Sequence, residues 1–165
     1  DFARRKTEGP LSPVDLCAVV TQTLEMARTS IPDRVRVRLS LPKQPCEVWA
    51  GTSELVQVLM NLLSNALYAM RDGGGELSVS VEPPMAPQER PRLIVSDTGV
   101  GIPPELRDRI FEPLFTTKPE GEGTGLGLAI VHRLITHLGG VVRVRSELGE
   151  GTTFTLEFPP TPVRP

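Results

Sequence analysis

Apolar residues recur along this chain with two different periods. Val35, Val37, Leu39 and Leu41 alternate with Arg36, Arg38 and Ser40, and Leu77, Val79 and Val81 alternate with Ser78, Ser80 and Glu82. A period of two predicts strands with one buried face. Residues 93–96 read as a further strand leading into Asp97, and 142–144 and 154–158 as the last strands, joined around 147–151. Residues 47–50 read as a short extra strand. Leu55, Val58, Leu59, Leu62, Ala66, Leu67 and Met70 instead repeat at helical spacing, which predicts a helix over about 53–71, stopped at Asp72-Gly73-Gly74-Gly75. Another helix is predicted over 126–138, ended by Gly139-Gly140. A third runs from Ser12 to about Thr29, with Ser12 as its cap, Pro13 in the first helical position and Asp15 completing a capping box.

Between these elements, 83–91 is a proline-rich loop, and 112–123, rich in Pro, Thr, Glu and Gly, reads as irregular. Because most strands alternate, one sheet face is apolar and the other more polar. A mostly antiparallel sheet with three main helices on one face satisfies that pattern, so the expected class is α+β, a two-layer α/β sandwich. Residues 1–11 read as a linker, 12–159 as one domain and 160–165 as a disordered tail.

The 165 residues fit one core, and a net charge of −2 without a Lys/Arg block gives no support for a nucleic-acid or anionic-membrane surface. No apolar run approaches the ~20 residues of a membrane span. The N-terminus, DFARRKTEGP, lacks the apolar core of a secretory signal. Cys17 and Cys46 stand in no metal or redox spacing, which leaves a cytoplasmic, reducing location as the expectation.

Three short patterns carry candidate chemistry. Gln57, Asn61 and Asn65 form a polar stripe beside the apolar one on the helix over 53–71. Asn is a poor interior helix residue, costing up to ~0.7 kcal/mol relative to Ala, so two on one face suggest amides in use. Two solvent-facing amides fit the spacing equally well. An amide oxygen is also a hard, neutral ligand suited to Mg²⁺. Asp97 ends an apolar strand and opens Asp97-Thr98-Gly99-Val100-Gly101. A buried carboxylate needs donors, and an adenine amine is one, whereas guanine offers an acceptor there. Gly99 and Gly101 remove side chains where a flat base would approach the backbone. Alone, the pattern is more often a simple turn. Gly123, Gly125 and Gly127 precede a helix, an arrangement that presents backbone N–H groups to an anion. It matches neither a P-loop nor a dinucleotide-binding fingerprint.

Taken in order, NLLSNA, DTGVGIP, IFEPLFTTK, GTGLGLAI and GEGTTFTLEFP resemble the five boxes of the histidine-kinase catalytic ATP-binding domain. The wider superfamily, with the Bergerat fold, includes gyrase, mismatch-repair and heat-shock chaperone ATPases. The resemblance covers about residues 13–159. It implies that Asn65 coordinates Mg²⁺ and that Asn61 supports the phosphate end. Asn61 stands where the superfamily's ATPases carry a water-activating glutamate. An amide cannot be that base, so the resemblance implies phosphoryl transfer with little hydrolysis. It further implies that Asp97 accepts the adenine amine, that Gly99 and Gly101 line the base, and that Thr152 makes a second, water-mediated contact. Phe111 and Phe115 would anchor the two sides of a lid. Gly123, Gly125, Leu126 and Gly127 would present N–H groups to the phosphates, and Lys118 would be the lid's cation.

The chain departs from the pattern at three places. Many members carry Arg where Thr116 stands, and Lys-Tyr or Lys-Phe where Tyr68 and Ala69 stand. Arg71 could supply the missing phosphate contact, although it reads more simply as a solvated helix end. The phosphoacceptor histidine is missing too, because His132 and His137 lack its acidic neighbour and proline and read as surface or structural residues. The expectation is therefore a monomeric piece that follows a helical hairpin in a longer kinase. It would use ATP or ADP with Mg²⁺, its own dimerisation and phosphoacceptor domain, and a downstream response regulator, with no nucleic-acid or direct membrane contact. Two other readings stay open: a stand-alone relative that phosphorylates serine on an anti-sigma partner, and a nucleotide-gated interaction domain without turnover.

Overall fold

A five-stranded sheet carries the helices on one face. The computed structural model describes residues 10–116, 118 and 127–160. In chain order the elements are β1 (Ser12–Asp15), α1 (Leu16–Ala27), β2 (Val35–Ser40), β3 (Glu47–Ala50), α2 (Thr52–Ala69), β4 (Gly75–Glu82), β5 (Arg92–Asp97), α3 (Gly127–His137), β6 (Val141–Glu147) and β7 (Gly151–Glu157), with 3₁₀ turns at Arg28–Ser30 and Pro104–Arg109. The sheet order is β2-β4-β5-β7-β6. Only the β2–β4 pair is parallel; the other three are antiparallel. This is the expected mostly antiparallel α+β sandwich.

Strand register lines up the inward side chains in rows. Leu39, Val79, Val95, Phe154 and Val144 form one row, and Val81, Leu93, Leu156 and Val142 another. The third row runs Val37, Leu77, Asp97, Thr152, Ser146, so its last three members are polar. Against these rows α2 buries Leu55, Val58, Leu59, Leu62, Leu63 and Ala66, each at most 3% exposed. Such a stripe is what gives this helix its place, because burying a large aliphatic side chain is worth roughly 1.5–3 kcal/mol. The opposite sheet face is polar, with Ser96 and Thr153 hydrogen-bonded at 2.7 Å and Arg143 paired with Glu157 at 2.8 Å.

Two expectations need correction. Ser12 and Pro13 do not start a helix. Ser12–Asp15 is a strand, antiparallel to β3, and the helix cap is Asp15. Its Oδ1 accepts from the Cys17 amide at 3.0 Å and from the Cys46 amide at 3.0 Å. The expected cap was three residues too early, because Val14 is needed inside the core and Pro13 is tolerated in a short edge strand. The second correction concerns β2. Val35 is buried, but Val37 and Leu39 are 39% and 47% exposed. They sit in the inward rows, yet β2 is the edge strand, and α1 packs against α2 and β4.

The boundaries of α2, α3 and the remaining strands fall within a few residues of expectation. Residues 112–116 are irregular, with Leu114 at φ 68°. Most of the linker and tail, together with residues 117 and 119–126, lie outside the described residues.

Candidate nucleotide site

A cleft of about 580 Å³ opens beside the polar end of the third row. That volume is in the range of small-molecule sites. Its walls come from α2, the turn after β5, the start of β7, residues Phe115, Thr116 and Lys118, and the first residues of α3. Asn61 and Asn65 both line it, so the polar stripe of α2 faces the cleft. Gln57, the third member of that stripe, is exposed and does not. The Asn61 side-chain N–H donates to the Gly127 carbonyl at 3.4 Å, which ties α2 to the first residue of α3.

Asp97 sits at the other end of the cleft and is 7% exposed. Its Oδ1 accepts from the Gly99 amide at 2.8 Å, and the Thr152 amide also donates to the carboxylate. Burial pushes its pKa above the ordinary aspartate value of 3.8, while the Gly99 and Thr152 amides pull it back. The carboxylate is thus an acceptor fixed by backbone donors in a residue that lines the cleft. Thr152, opposite Asp97 in register, lines the cleft as well.

The two turn glycines are each pressed close to neighbouring protein atoms. A Cβ on Gly99 would lie 2.5 Å from the Ala69 carbonyl oxygen and 2.7 Å from the Ala69 Cβ. A Cβ on Gly101, where φ is +78°, would lie 2.2 Å from the Glu147 carbonyl oxygen. Their missing side chains therefore admit the end of α2 and the β6–β7 hairpin. The Val100 amide donates to Ala69 O at 3.1 Å and the Gly149 amide to Val100 O at 2.9 Å, so the turn is clamped from both sides. Gly101 still lines the cleft; Gly99 is buried behind it.

Phe111 packs into the core, edge-on to Phe154 at 6.4 Å between centroids and against the ring of the exposed His132 at 5.2 Å. Phe115 lines the cleft, under the Arg109 guanidinium at 4.7 Å. The two aromatics thus bracket the irregular segment, one in the core and one at the cleft. Lys118 also lines the cleft, with Nζ 4.6 Å from the centre of the Tyr68 ring. Arg71 lies over the same ring at 4.0 Å. Tyr68 is an aromatic platform for two cations. Gly127 lines the cleft; Gly123, Gly125 and Leu126 lie outside the described residues.

The donor set also bears on a metal. Among the described residues no group of three or more His, Cys, Asp or Glu could hold one. An Asn65 amide oxygen alone suits Mg²⁺ that arrives with phosphate oxygens and water as its other ligands. The residues present fit that ion as part of a nucleotide complex and not as a resident metal.

Ser146 escaped the sequence reading. It is 2% exposed and contacts Thr152, Ile102 and Gly151. The signal was available: Ser146 continues the inward alternation of Val142 and Val144, where a hydroxyl needs partners.

Comparison with known proteins agrees with this geometry. Residues 51–162 match the family model described as histidine kinase-, DNA gyrase B-, and HSP90-like ATPase. The chain is 36% identical over 156 residues to the sensor histidine kinase ZraS of Escherichia coli (strain K12), covering 94% of this chain and 32% of that protein. It therefore spans about a third of the length of that relative. Among solved structures, the catalytic domain of histidine kinase ThkA superposes with a TM-score of 0.80 at 28% identity, covering 93% of this chain and 100% of that one. The mycobacterial sensor histidine kinase MprB gives 0.77 at 30% identity, covering 93% and 99%. No helix among the described residues is long and apolar enough to cross a membrane. The chain belongs to the histidine kinase-, DNA gyrase B- and HSP90-like ATPase family, and it is built as the ATP-binding catalytic domain of a histidine kinase.

Proposed function

We propose that the chain is the donor half of a histidine kinase. It binds ATP with Mg²⁺ and passes the γ-phosphoryl group to a histidine on a separate dimerisation domain, from which a response regulator takes it. Asp97 receives the adenine amine, Asn65 supplies the protein's ligand to Mg²⁺, Asn61 supports the phosphate end, and Lys118 leaves its Tyr68 platform for the terminal phosphate. When bound, Mg²⁺ neutralises charge on the phosphate oxygens. This chain's residues hold the base, orient the chain of phosphates and bring a cation to the group that moves.

One observation carries the reading. Among the described residues that line the cleft, Asp97 is the only carboxylate, and no histidine lines it. Asp97 is held by two amides, and its turn packs on Ala69 at the end of α2, past both Asn61 and Asn65 along the helix. Among the described residues lining the cleft, water at the phosphate end finds no general base, so they position a phosphoryl group without supplying a nucleophile for it. The acceptor must come from outside, which favours transfer over hydrolysis.

The test uses labelled ATP. Incubated alone, the chain is expected to release little phosphate and to take up almost none on His132 or His137. Mixed with its phosphoacceptor domain as a separate polypeptide, it should label that domain slowly, because the tether that raises effective concentration is absent. Lys118→Ala should slow that transfer by about 100-fold, the usual scale for a charge placed on a transition state, with ADP affinity changed far less. Rapid hydrolysis by the isolated chain, or acid-labile label on it that His132→Ala or His137→Ala removes, overturns the reading.

A further inference from the structure

The third row ends in three polar residues whose protons can be counted. Ser146 Oγ lies 2.7 Å from the Ile102 amide nitrogen, 3.0 Å from the Gly151 carbonyl oxygen and 2.9 Å from Thr152 Oγ1. A serine hydroxyl has one hydrogen and two acceptor lone pairs. The Ile102 N–H can only donate, so it uses one lone pair. The Gly151 carbonyl can only accept, so it uses the single hydrogen. Ser146 has only a lone pair left for Thr152, and the Thr152 hydroxyl must be the donor in that contact.

The consequence reaches the cleft. The Thr152 hydrogen is turned toward Ser146, and Thr152 Oγ1 keeps only lone pairs for anything in the cleft it lines. Its neighbour across the strands, Asp97, is an acceptor as well. The residue that sets this polarity is itself held: Ser146 is buried, and the Arg107 guanidinium donates to its backbone carbonyl. Through Ile102 the same hydroxyl fixes the far end of the turn that begins at Asp97.

We propose that Ser146 is a positioning residue for base specificity: it locks Thr152 as an acceptor, so the base end of the cleft is acceptor-only and selects 6-amino purines over 6-oxo purines. This rests on the reading of Asp97 and Thr152 as the base end. With Thr152 meeting the 6-position directly, rather than through the water the family resemblance implies, an exocyclic amine brings two N–H donors to two acceptors, whereas a 6-oxo group brings lone pairs to lone pairs. Without Ser146 the Thr152 hydroxyl is free to rotate and to donate to a 6-oxo oxygen.

Calorimetric titration of the chain with ATP and with inosine triphosphate, both with Mg²⁺, tests this, because the two ligands differ at the 6-position and N1 alone. The unsubstituted chain is expected to prefer ATP. Ser146→Ala should lower the ATP-to-ITP affinity ratio by about fivefold or more, the value of one hydrogen bond gained or lost. Ser146→Thr, which keeps the hydroxyl, should restore it. Thr152→Val gives an arm that does not depend on Ser146→Ala folding: it should weaken ATP while leaving ITP unchanged or stronger. Equal weakening of both nucleotides in Ser146→Ala or in Thr152→Val overturns the proposal. An unsubstituted chain without preference for ATP overturns the base-end reading itself, and the proposal with it.

Discussion

Asp97→Asn is expected to weaken ATP binding by about 10- to 100-fold, the loss that follows when a hydrogen bond to a charged acceptor is replaced by a mismatched donor. The carboxylate is held by the Gly99 and Thr152 amides, so it cannot turn away from the cleft and be replaced by another group. An amide at 97 presents N–H either to those backbone donors or to the adenine amine, and both encounters are donor against donor. The sign of the pH effect follows from burial, which raises the Asp97 pKa above its ordinary value of 3.8. Binding needs the ionised carboxylate, so affinity falls as pH drops through the raised pKa. Folding behaves in the opposite sense. A raised folded-state pKa means that this group's contribution to stability is fully present below the ordinary aspartate pKa and is lost as pH rises through the folded value. Mild acid should therefore release ATP through Asp97 without unfolding the domain through Asp97. Calorimetry across that pH range should show an acid limb in the unsubstituted chain that Asp97→Asn lacks. Identical pH profiles for the two would remove Asp97 from the base end.

Gly99→Ala is expected to cost about 3 kcal/mol of stability, at the upper end of what overpacking does, and to lower the melting temperature by roughly 10 °C for a chain of this size. The new methyl would meet the Ala69 carbonyl oxygen at 2.5 Å, the carbonyl carbon at 2.6 Å and the Ala69 Cβ at 2.7 Å. None of these is the movable end of a long side chain. They belong to the last residue of α2, the helix that carries Asn61 and Asn65. Relief requires the turn and the helix end to part, which breaks the Val100-to-Ala69 hydrogen bond of 3.1 Å. Gly73→Ala is the control, since a Cβ there meets nothing within 4 Å, and it should change stability by no more than ~0.5 kcal/mol. If the two substitutions melt alike, the tight fit of the turn against α2 is not what Gly99 provides.

What was legible in the sequence divides along physical lines. Periodicity located α2, β4, β5 and β7 because their burial is one-sided and strong, and a single face fixes the register. Asp97 stood out as a carboxylate ending an apolar strand and Asn61 and Asn65 as a polar stripe on a helix, whereas Thr152 entered only through the family resemblance. The N-terminal segment was misread because capping signals at Ser12 and Asp15 compete locally. Only the pairing of β1 with β3, more than thirty residues away, settles which one wins. The exposure of Val37 and Leu39 was hidden for a similar reason, since alternation shows a face but not whether a helix reaches it. The glycines of the turn stood out locally, but the protein atoms packed against them did not. Their need is set by Ala69 and Glu147, and no local pattern names those neighbours. Tyr68 looked like a lost phosphate contact. In three dimensions its ring holds Lys118 and Arg71, a pairing that bridges fifty residues of sequence.

The central claim is that one nucleotide sits in the cleft between α2 and the turn after β5. Backbone amide shifts of the isotopically labelled chain, followed by nuclear magnetic resonance during titration with ADP and Mg²⁺, test it most directly. The account predicts the largest changes at Asn61, Asn65, Gly101 and Thr152, all of which line the cleft, and small ones at Ser78, Ser96 and Arg143 on the opposite sheet face. Changes concentrated on Ser78, Ser96 and Arg143, with the cleft residues unmoved, would contradict it.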